Sequence, residues 1–306
     1  MDPIYILYNF CNGKDNYEEV YDVCLYNKII VNEFCKNTQY GEHIEIIKAI
    51  SLYCDNKFDD VLHICNKLDN SPYANCLIGE ILFRSENYDL AKKYIEKAAQ
   101  MNIGYALYLL GFLCENGHTE EKGKEIYLKL YHIATLKNSL CALNVLGNKY
   151  INGIDVKKDI NIGIELLQKA SLSGNLDAMT NLGYYYLNGI GVEENIDEAI
   201  KLYELCVSKK CIVAIKNLVI IYLIHDKKKN IARAMELINI INIIVSESKN
   251  ENNSVIEFFS NILQNTDIKK ENKKLKAYIN EMQVNNFFET IDYNMNRNMN
   301  HSINLI

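Results

Sequence analysis

The sequence predicts an all-α fold, a right-handed α-solenoid (superhelix) of stacked antiparallel helical hairpins. Three observations carry this expectation. Leu110-Gly111, Leu146-Gly147 and Leu182-Gly183 are each followed by an Asn-Gly (Asn116-Gly117, Asn152-Gly153, Asn188-Gly189), and the pattern repeats every 36 residues. A fixed period of this size marks a stack of repeated supersecondary units. Other positions keep the same step: Ala106, Ala142, Ala178 and Ala214; Cys114, Tyr150, Tyr186 and Tyr222; Ala98, Ala134, Ala170 and Cys206; and Asn87, Gly123, Asp159 and Asn195. The last column consists of residue types that cap helix N-termini. Finally, the chain holds only two prolines in 306 residues, so helix breakers are scarce.

The elements follow in order. Residues 1–40 read as helical without a convincing repeat, and residues 42–68 as a degenerate hairpin turning at Asn56-Lys57-Phe58. The interval from Ala74 to Ala106 is 32 residues, because Arg84-Ser85-Glu86 replaces the longer Asn-Gly loop. The clearest unit spans 175–210. Its first helix (A), 176–187, aligns Ala178, Leu182 and Tyr186 on one face and ends at Asn188-Gly189, where glycine accepts the left-handed backbone of a C-cap. Its second helix (B) starts at Asn195, with Glu198 placed as in a capping box, and carries the stripe Ala199, Leu202, Tyr203 and Cys206. After Ala214 the pattern decays: Val219 stands where glycine stood, and His225 to Asn230 replace the glycine loop. Residues 247–254 read as a polar linker, 255–265 and 270–288 as two further helices, and 290–306 as a poorly ordered tail. The expected division is 1–73, a degenerate helical region; 74–245, the repeat array; and 246–306, terminal helices and tail.

The small columns have a mechanical reason. Gly183 and Ala178 let a neighbouring helix backbone come close, so that successive hairpins stack at one repeated angle. A lone hairpin cannot bury its apolar faces, whereas a stack can.

Composition narrows the function classes. Net charge is −6 and the pI near 5.6, which counts against nucleic acid or an anionic membrane as the main partner. The start, Met1 to Tyr8, lacks the basic region of a secretory leader, and no apolar run is long enough to span a bilayer, so a cytoplasmic location is expected. The ten cysteines contain no CxxC pair and read as reduced, buried thiols. Cys24/Cys35 and Cys54/Cys65/Cys76 share an 11-residue spacing, three turns of helix.

The segment Ala178-Met-Thr-Asn-Leu-Gly-Tyr-Tyr-Tyr-Leu-Asn-Gly-Ile-Gly-Val-Glu-Glu-Asn-Ile-Asp-Glu-Ala-Ile-Lys-Leu-Tyr resembles a Sel-one-like repeat (SLR), a relative of the tetratricopeptide repeat. Residues 142–178 match less fully, 106–141 lack the Gly-x-Gly-Val loop, and 74–105 are closer to a plain tetratricopeptide repeat; the resemblance covers 74–240. It implies a scaffold or adaptor that assembles protein complexes and binds its partner on the inner face lined by the A helices. Large DNA viruses of amoebae carry many such proteins, and the Asn-, Ile-, Lys- and Tyr-rich composition suits an AT-rich genome, which would place the chain in a host cytoplasm.

A screen for chemistry returns no catalytic or metal-binding residues and no cofactor. Gly189-Ile190-Gly191 lies between two helices without a third glycine or a phosphate-binding lysine, and reads as a hairpin turn. The six histidines are never at ligand spacing. Lys227-Lys228-Lys229 reads as a solvated turn. The expected partner is a protein or peptide; no small-molecule substrate and no membrane are expected. RNA binding by a helical-hairpin array is the alternative, and an enzyme hidden in the degenerate ends is a third reading.

One surface stands out. Tyr105, Tyr108 and Phe112 recur at helical spacing on the A helix of the 106 unit, offset from the stripe Ala106, Leu107, Leu110 and Cys114. Register places Asn144 and Asn148, then Thr180 and Tyr184, in the equivalent columns. Together they would form a groove with an aromatic end and an amide-rich end, suited to a peptide. The competing reading packs Tyr105 and Phe112 against the preceding hairpin.

Overall fold

A computed structural model describes residues 3–12, 17–38, 41–68, 70–119, 123–224 and 230–248. Among these every regular element is an α-helix. The chain divides into two compact units, residues 1–175 and 176–306.

The first unit opens with α1 (Pro3–Cys11), α2 (Tyr17–Tyr26) and α3 (Lys28–Asn37). Four hairpins follow: α4 (Gly41–Cys54) with α5 (Phe58–Cys65), α6 (Pro72–Arg84) with α7 (Tyr88–Gln100), α8 (Gly104–Glu115) with α9 (Lys124–Leu136), and α10 (Leu140–Asn152) with α11 (Ile160–Leu172). The second unit contains α12 (Leu176–Asn188) with α13 (Ile196–Val207), and α14 (Ile212–Ile224) with α15 (Ile231–Ser248). The pair α14/α15 forms although the glycine of its repeat has become Val219. The expected terminal helices and tail, and the turn Lys227-Lys228-Lys229, lie outside the described residues.

Sequence periodicity translates into recurring local structure. Asn87, Asp159 and Asn195 each accept the backbone N–H three residues on, that of Leu90, Ile162 and Glu198. Asn230 does the same for Arg233, 35 residues after Asn195, one short of the repeat step. The Glu198 side chain pairs with Lys201, 3.2 Å away. The tyrosine column anchors the loops: the N–H groups of Asp159, Asn195 and Asn230 donate to the carbonyls of Tyr150, Tyr186 and Tyr222 at 2.8–2.9 Å. Gly153 caps α10 with φ +72°, and Gly189 follows α12 with φ +64°. The ends of the B helices use the left-handed conformation in register as well, at Asn102, Asn138, Gly174 and Lys210.

The glycine column has a different partner from the one expected. A Cβ on Gly79, Gly111, Gly147 or Gly183 would come within 2.6–3.0 Å of Ile95, Tyr131, Leu167 or Tyr203, a side chain on the B helix of the same hairpin. Those four residues are themselves one period apart and essentially fully buried. Glycine is therefore the hole and the B-helix side chain the knob, and the column closes each hairpin rather than setting the angle between hairpins. In α10/α11 a second glycine, Gly163, removes the remaining obstacle, so the helix backbones touch. The alanine columns Ala106, Ala142, Ala178, Ala214 and Ala98, Ala134, Ala170 with Cys206 are all fully buried.

All ten cysteines are free of disulfides; seven are buried and Cys35, Cys54 and Cys141 half-buried. Cys24 and Cys35 lie on α2 and α3, and Cys54, Cys65 and Cys76 on α4, α5 and α6, so the 11-residue spacing runs from one helix to the next, not along three turns of one helix. Burial pushes the thiols of Cys54 and Cys65 up to about 12, away from the reactive thiolate form.

Candidate functional site

The N-terminal ends of the A helices in the first unit, α6, α8 and α10, each begin with a residue that reaches toward α2. Tyr73 stands at the start of α6, Tyr105 at the start of α8, and Ser139 caps α10. The backbone of α2 packs mainly on α1, α3 and α4. Its first two residues extend onto the repeat helices.

Tyr17 lies parallel to Tyr73 (ring centroids 5.6 Å apart, planes 8° apart) and tilted against Tyr105 at 5.4 Å. Phe10 of α1 meets the Tyr73 ring edge-on at 4.8 Å, and Tyr105 leads on through Tyr108 to Tyr131. Glu18 then turns to the start of α10. The Ser139 hydroxyl donates to Oε1 of Glu18 at 2.6 Å and the Cys141 N–H donates to Oε2 at 2.8 Å. The first N–H groups of a helix lack intrahelical acceptors and carry the positive end of its dipole, so a carboxylate here satisfies both. Ser139 also accepts from the Ala142 N–H, serving the helix and the carboxylate together.

Burial dominates the electrostatics. It pushes Glu18 up to about 7, with the Ser139 hydroxyl and the Cys141 and Leu140 groups pulling back toward the ionised form. Beneath the aromatic pair lies Glu80 of α6, also buried and also held above the ordinary carboxyl range by desolvation. The hydroxyl of Tyr105 hydrogen-bonds it, and the hydroxyl of Tyr53 and the guanidinium of Arg84 face it. Oε2 of Glu80 and the hydroxyl of Tyr17 are buried without a hydrogen-bond partner.

The seven residues expected to line a groove fall into both units. Tyr105 and Tyr108 stack together, whereas Phe112 packs edge-on against Phe83 of the preceding hairpin. Tyr108, Phe112 and Asn144 are buried, as is Thr180 in the second unit, where its hydroxyl donates to the Leu176 carbonyl. Tyr105 is half-buried, with its hydroxyl hydrogen-bonded to Glu80. Asn148 and Tyr184 are half-buried and present part of their side chains. The side chain of Asn148 also donates to the Asn144 carbonyl. Buried in the first unit, therefore, the aromatic end meets α2 and its own neighbours.

Sequence reasoning missed two groups. Tyr17 and Glu18 were inside a segment without repeats, and no local pattern connects them to residues more than a hundred positions away. The second is a polar cluster around the buried Lys149, which reaches the half-buried Glu115 at 2.6 Å and the exposed Asp155 at 2.9 Å, and lies over the Tyr127 ring. Glu115 also accepts from the Tyr131 hydroxyl. Among the described residues no group of three or more His, Cys, Asp and Glu side chains is placed to hold a metal ion, and no helix is long and apolar enough to cross a membrane.

Comparison with known proteins agrees with this architecture. The sequence profile of the Sel1 repeat matches residues 72–103, 104–125, 142–175 and 176–205. The structure is similar to that of a Sel1 repeat protein from Oxalobacter formigenes (TM-score 0.59, 21% identity), over 78% of this chain and 99% of that one. It is also similar to c5321, a protective antigen of uropathogenic Escherichia coli strains with an SLR fold (TM-score 0.51, 14% identity), over 81% of this chain and 59% of that one. No curated protein matches the sequence.

Proposed function

Because four segments of this chain match the Sel1 repeat and its fold is an all-helical solenoid, we propose that it is a non-catalytic scaffold or adaptor that binds a protein or peptide through the face lined by its A helices. Proteins built from such repeats are generally protein-interaction scaffolds. One observation carries the reading to this chain: in the first unit the starts of three A helices already hold a polypeptide segment, through aromatic stacking and a carboxylate at a helix N-terminus. These are means by which repeat surfaces recognise peptides, and they require no cofactor.

Within this reading Tyr105 and Asn148 offer accessible contacts in the first unit, where Tyr108, Phe112 and Asn144 are buried; in the second unit Tyr184 offers one and Thr180 is buried. A cytoplasmic location belongs to the same reading. The test is affinity capture from host lysate with the wild-type chain, beside an Asn148→Arg, Tyr184→Arg variant of unchanged helicity. Retention of one protein in stoichiometric amount by the wild type, and its loss from the variant, is the expected result. Equal retention would move the interface off the A helices. RNA in the eluate, released steeply with salt, would replace the protein reading altogether.

A further inference from the structure

The contacts of α2 describe a ligand as well as a fold. An aromatic ring fills the gap between Tyr73 and Tyr105, and the very next residue places a carboxylate on the Ser139 hydroxyl and the Cys141 N–H. The requirement is an adjacent pair, aromatic then acidic. Ring stacking is tolerant of which aromatic residue is present, whereas the two donors at α10 call for an oxygen acceptor on each, which a carboxyl group supplies. The fit in cis is also incomplete, since Oε2 of Glu80 and the Tyr17 hydroxyl are both buried and unpaired. Unmet buried polar atoms weaken the closed arrangement and leave room for a better-matched ligand.

We propose that the starts of α6, α8 and α10 form a recognition site for a peptide bearing an aromatic residue followed directly by Asp or Glu, and that Tyr17-Glu18 is its built-in occupant, displaced when a partner supplies such a segment. The inference rests on the scaffold reading and makes it specific: the partner is recognised by an aromatic–acidic pair, and the free chain holds its own site shut. The backbone of α2 is held by α1, α3 and α4, so the two side chains can leave the repeat helices without unfolding them.

Cys141 reports the state of the site, because its N–H and its thiol both face Glu18. The experiment measures alkylation of Cys141 by iodoacetamide in the full chain, followed by peptide mass spectrometry. The probe is a synthetic acetylated peptide with the sequence of residues 17–26, carrying Cys24→Ser so that it brings no thiol. Glu18→Ala should accelerate alkylation about tenfold or more, as an opening equilibrium shifts by the loss of two hydrogen bonds. Excess peptide should restore protection, and the same peptide with Tyr17→Ala or Glu18→Ala should not. In the wild type, excess peptide should speed hydrogen exchange in the N-terminal part of α2, next to Tyr17 and Glu18, while the rest of α2 and α10 stay protected, a readout that does not depend on how well Glu18→Ala folds. Unchanged Cys141 reactivity in a folded Glu18→Ala chain, or no effect of peptide in either assay, would overturn the proposal. Those results leave the capture experiment untouched, so failure here and failure of the scaffold reading are told apart.

Discussion

Gly163→Ala is the sharpest test of how these hairpins close. A methyl group at this position would lie 2.4 Å from Cγ1 of Ile151, 2.6 Å from the Gly147 carbonyl oxygen and 3.0 Å from the Ile151 nitrogen. Rotation of Ile151 relieves only the first contact. The other two are backbone atoms of α10, so the helices must separate, loosening Leu167 from the hole at Gly147. Overpacking of this kind costs about 1–3 kcal/mol, and backbone contacts push toward the upper end. Alanine returns about 1 kcal/mol of helix propensity, leaving a net loss of about 2 kcal/mol. A repeat array opens locally, so hydrogen exchange of α10 and α11 is the sensitive assay, with acceleration of roughly 30-fold expected. Glu165→Ala, exposed on the same helix, should stay within about 0.5 kcal/mol of wild type. Exchange in Gly163→Ala no faster than in that control would refute the close-approach argument.

Three further outcomes are expected from the charged groups, and one from the backbone. Lys149→Ala should destabilise the first unit by about 1–2 kcal/mol in urea titration, because the half-buried Glu115 loses its cation and the buried lysine stem its packing; a loss below about 0.5 kcal/mol would refute a stabilising role for the cluster. Docking of α2 should strengthen with acid: Glu18 is raised in the folded chain, so its contribution is complete below the ordinary value near 4.5 and is lost as pH rises through about 7. The groups facing it are the Ser139 hydroxyl and the Leu140 and Cys141 groups of α10. Cys141 alkylation, corrected for the intrinsic pH dependence of a thiol, should therefore be slower relative to a free peptide at pH 6 than at pH 8. Asp155 has the opposite sign: the Lys149 contact depresses it, so its contribution is present above the usual carboxyl range and disappears as pH falls through the depressed value, seen as acid loosening of α10. Lys210→Gly should stabilise the second unit by about 1 kcal/mol or less in thermal melts, since Lys210 occupies the left-handed region at φ +53° where the register position in the first unit is Gly174.

The 36-residue step, the helix caps and the loop glycines were legible because each depends on contacts within a few residues. Capping is one example: Asp159 and Asn195 serve N–H groups three positions on, and Gly153 closes the helix it follows. Such features fix helices and hairpins, and through their period the solenoid. The knob column Ile95, Tyr131, Leu167 and Tyr203 keeps the same step but was hidden, since its members share size and burial rather than residue type. The fate of Tyr108 and Phe112 was open for a related reason: helical spacing says that two side chains share a face, not whether another segment covers that face. Only the tertiary structure decided that Glu18 meets Ser139 and Cys141, that Tyr17 fits between Tyr73 and Tyr105, and that Lys149 is buried among acids. Most of these contacts join residues tens to more than a hundred positions apart, and no sequence period relates them, because the path of the chain in space, not its local pattern, brings them together.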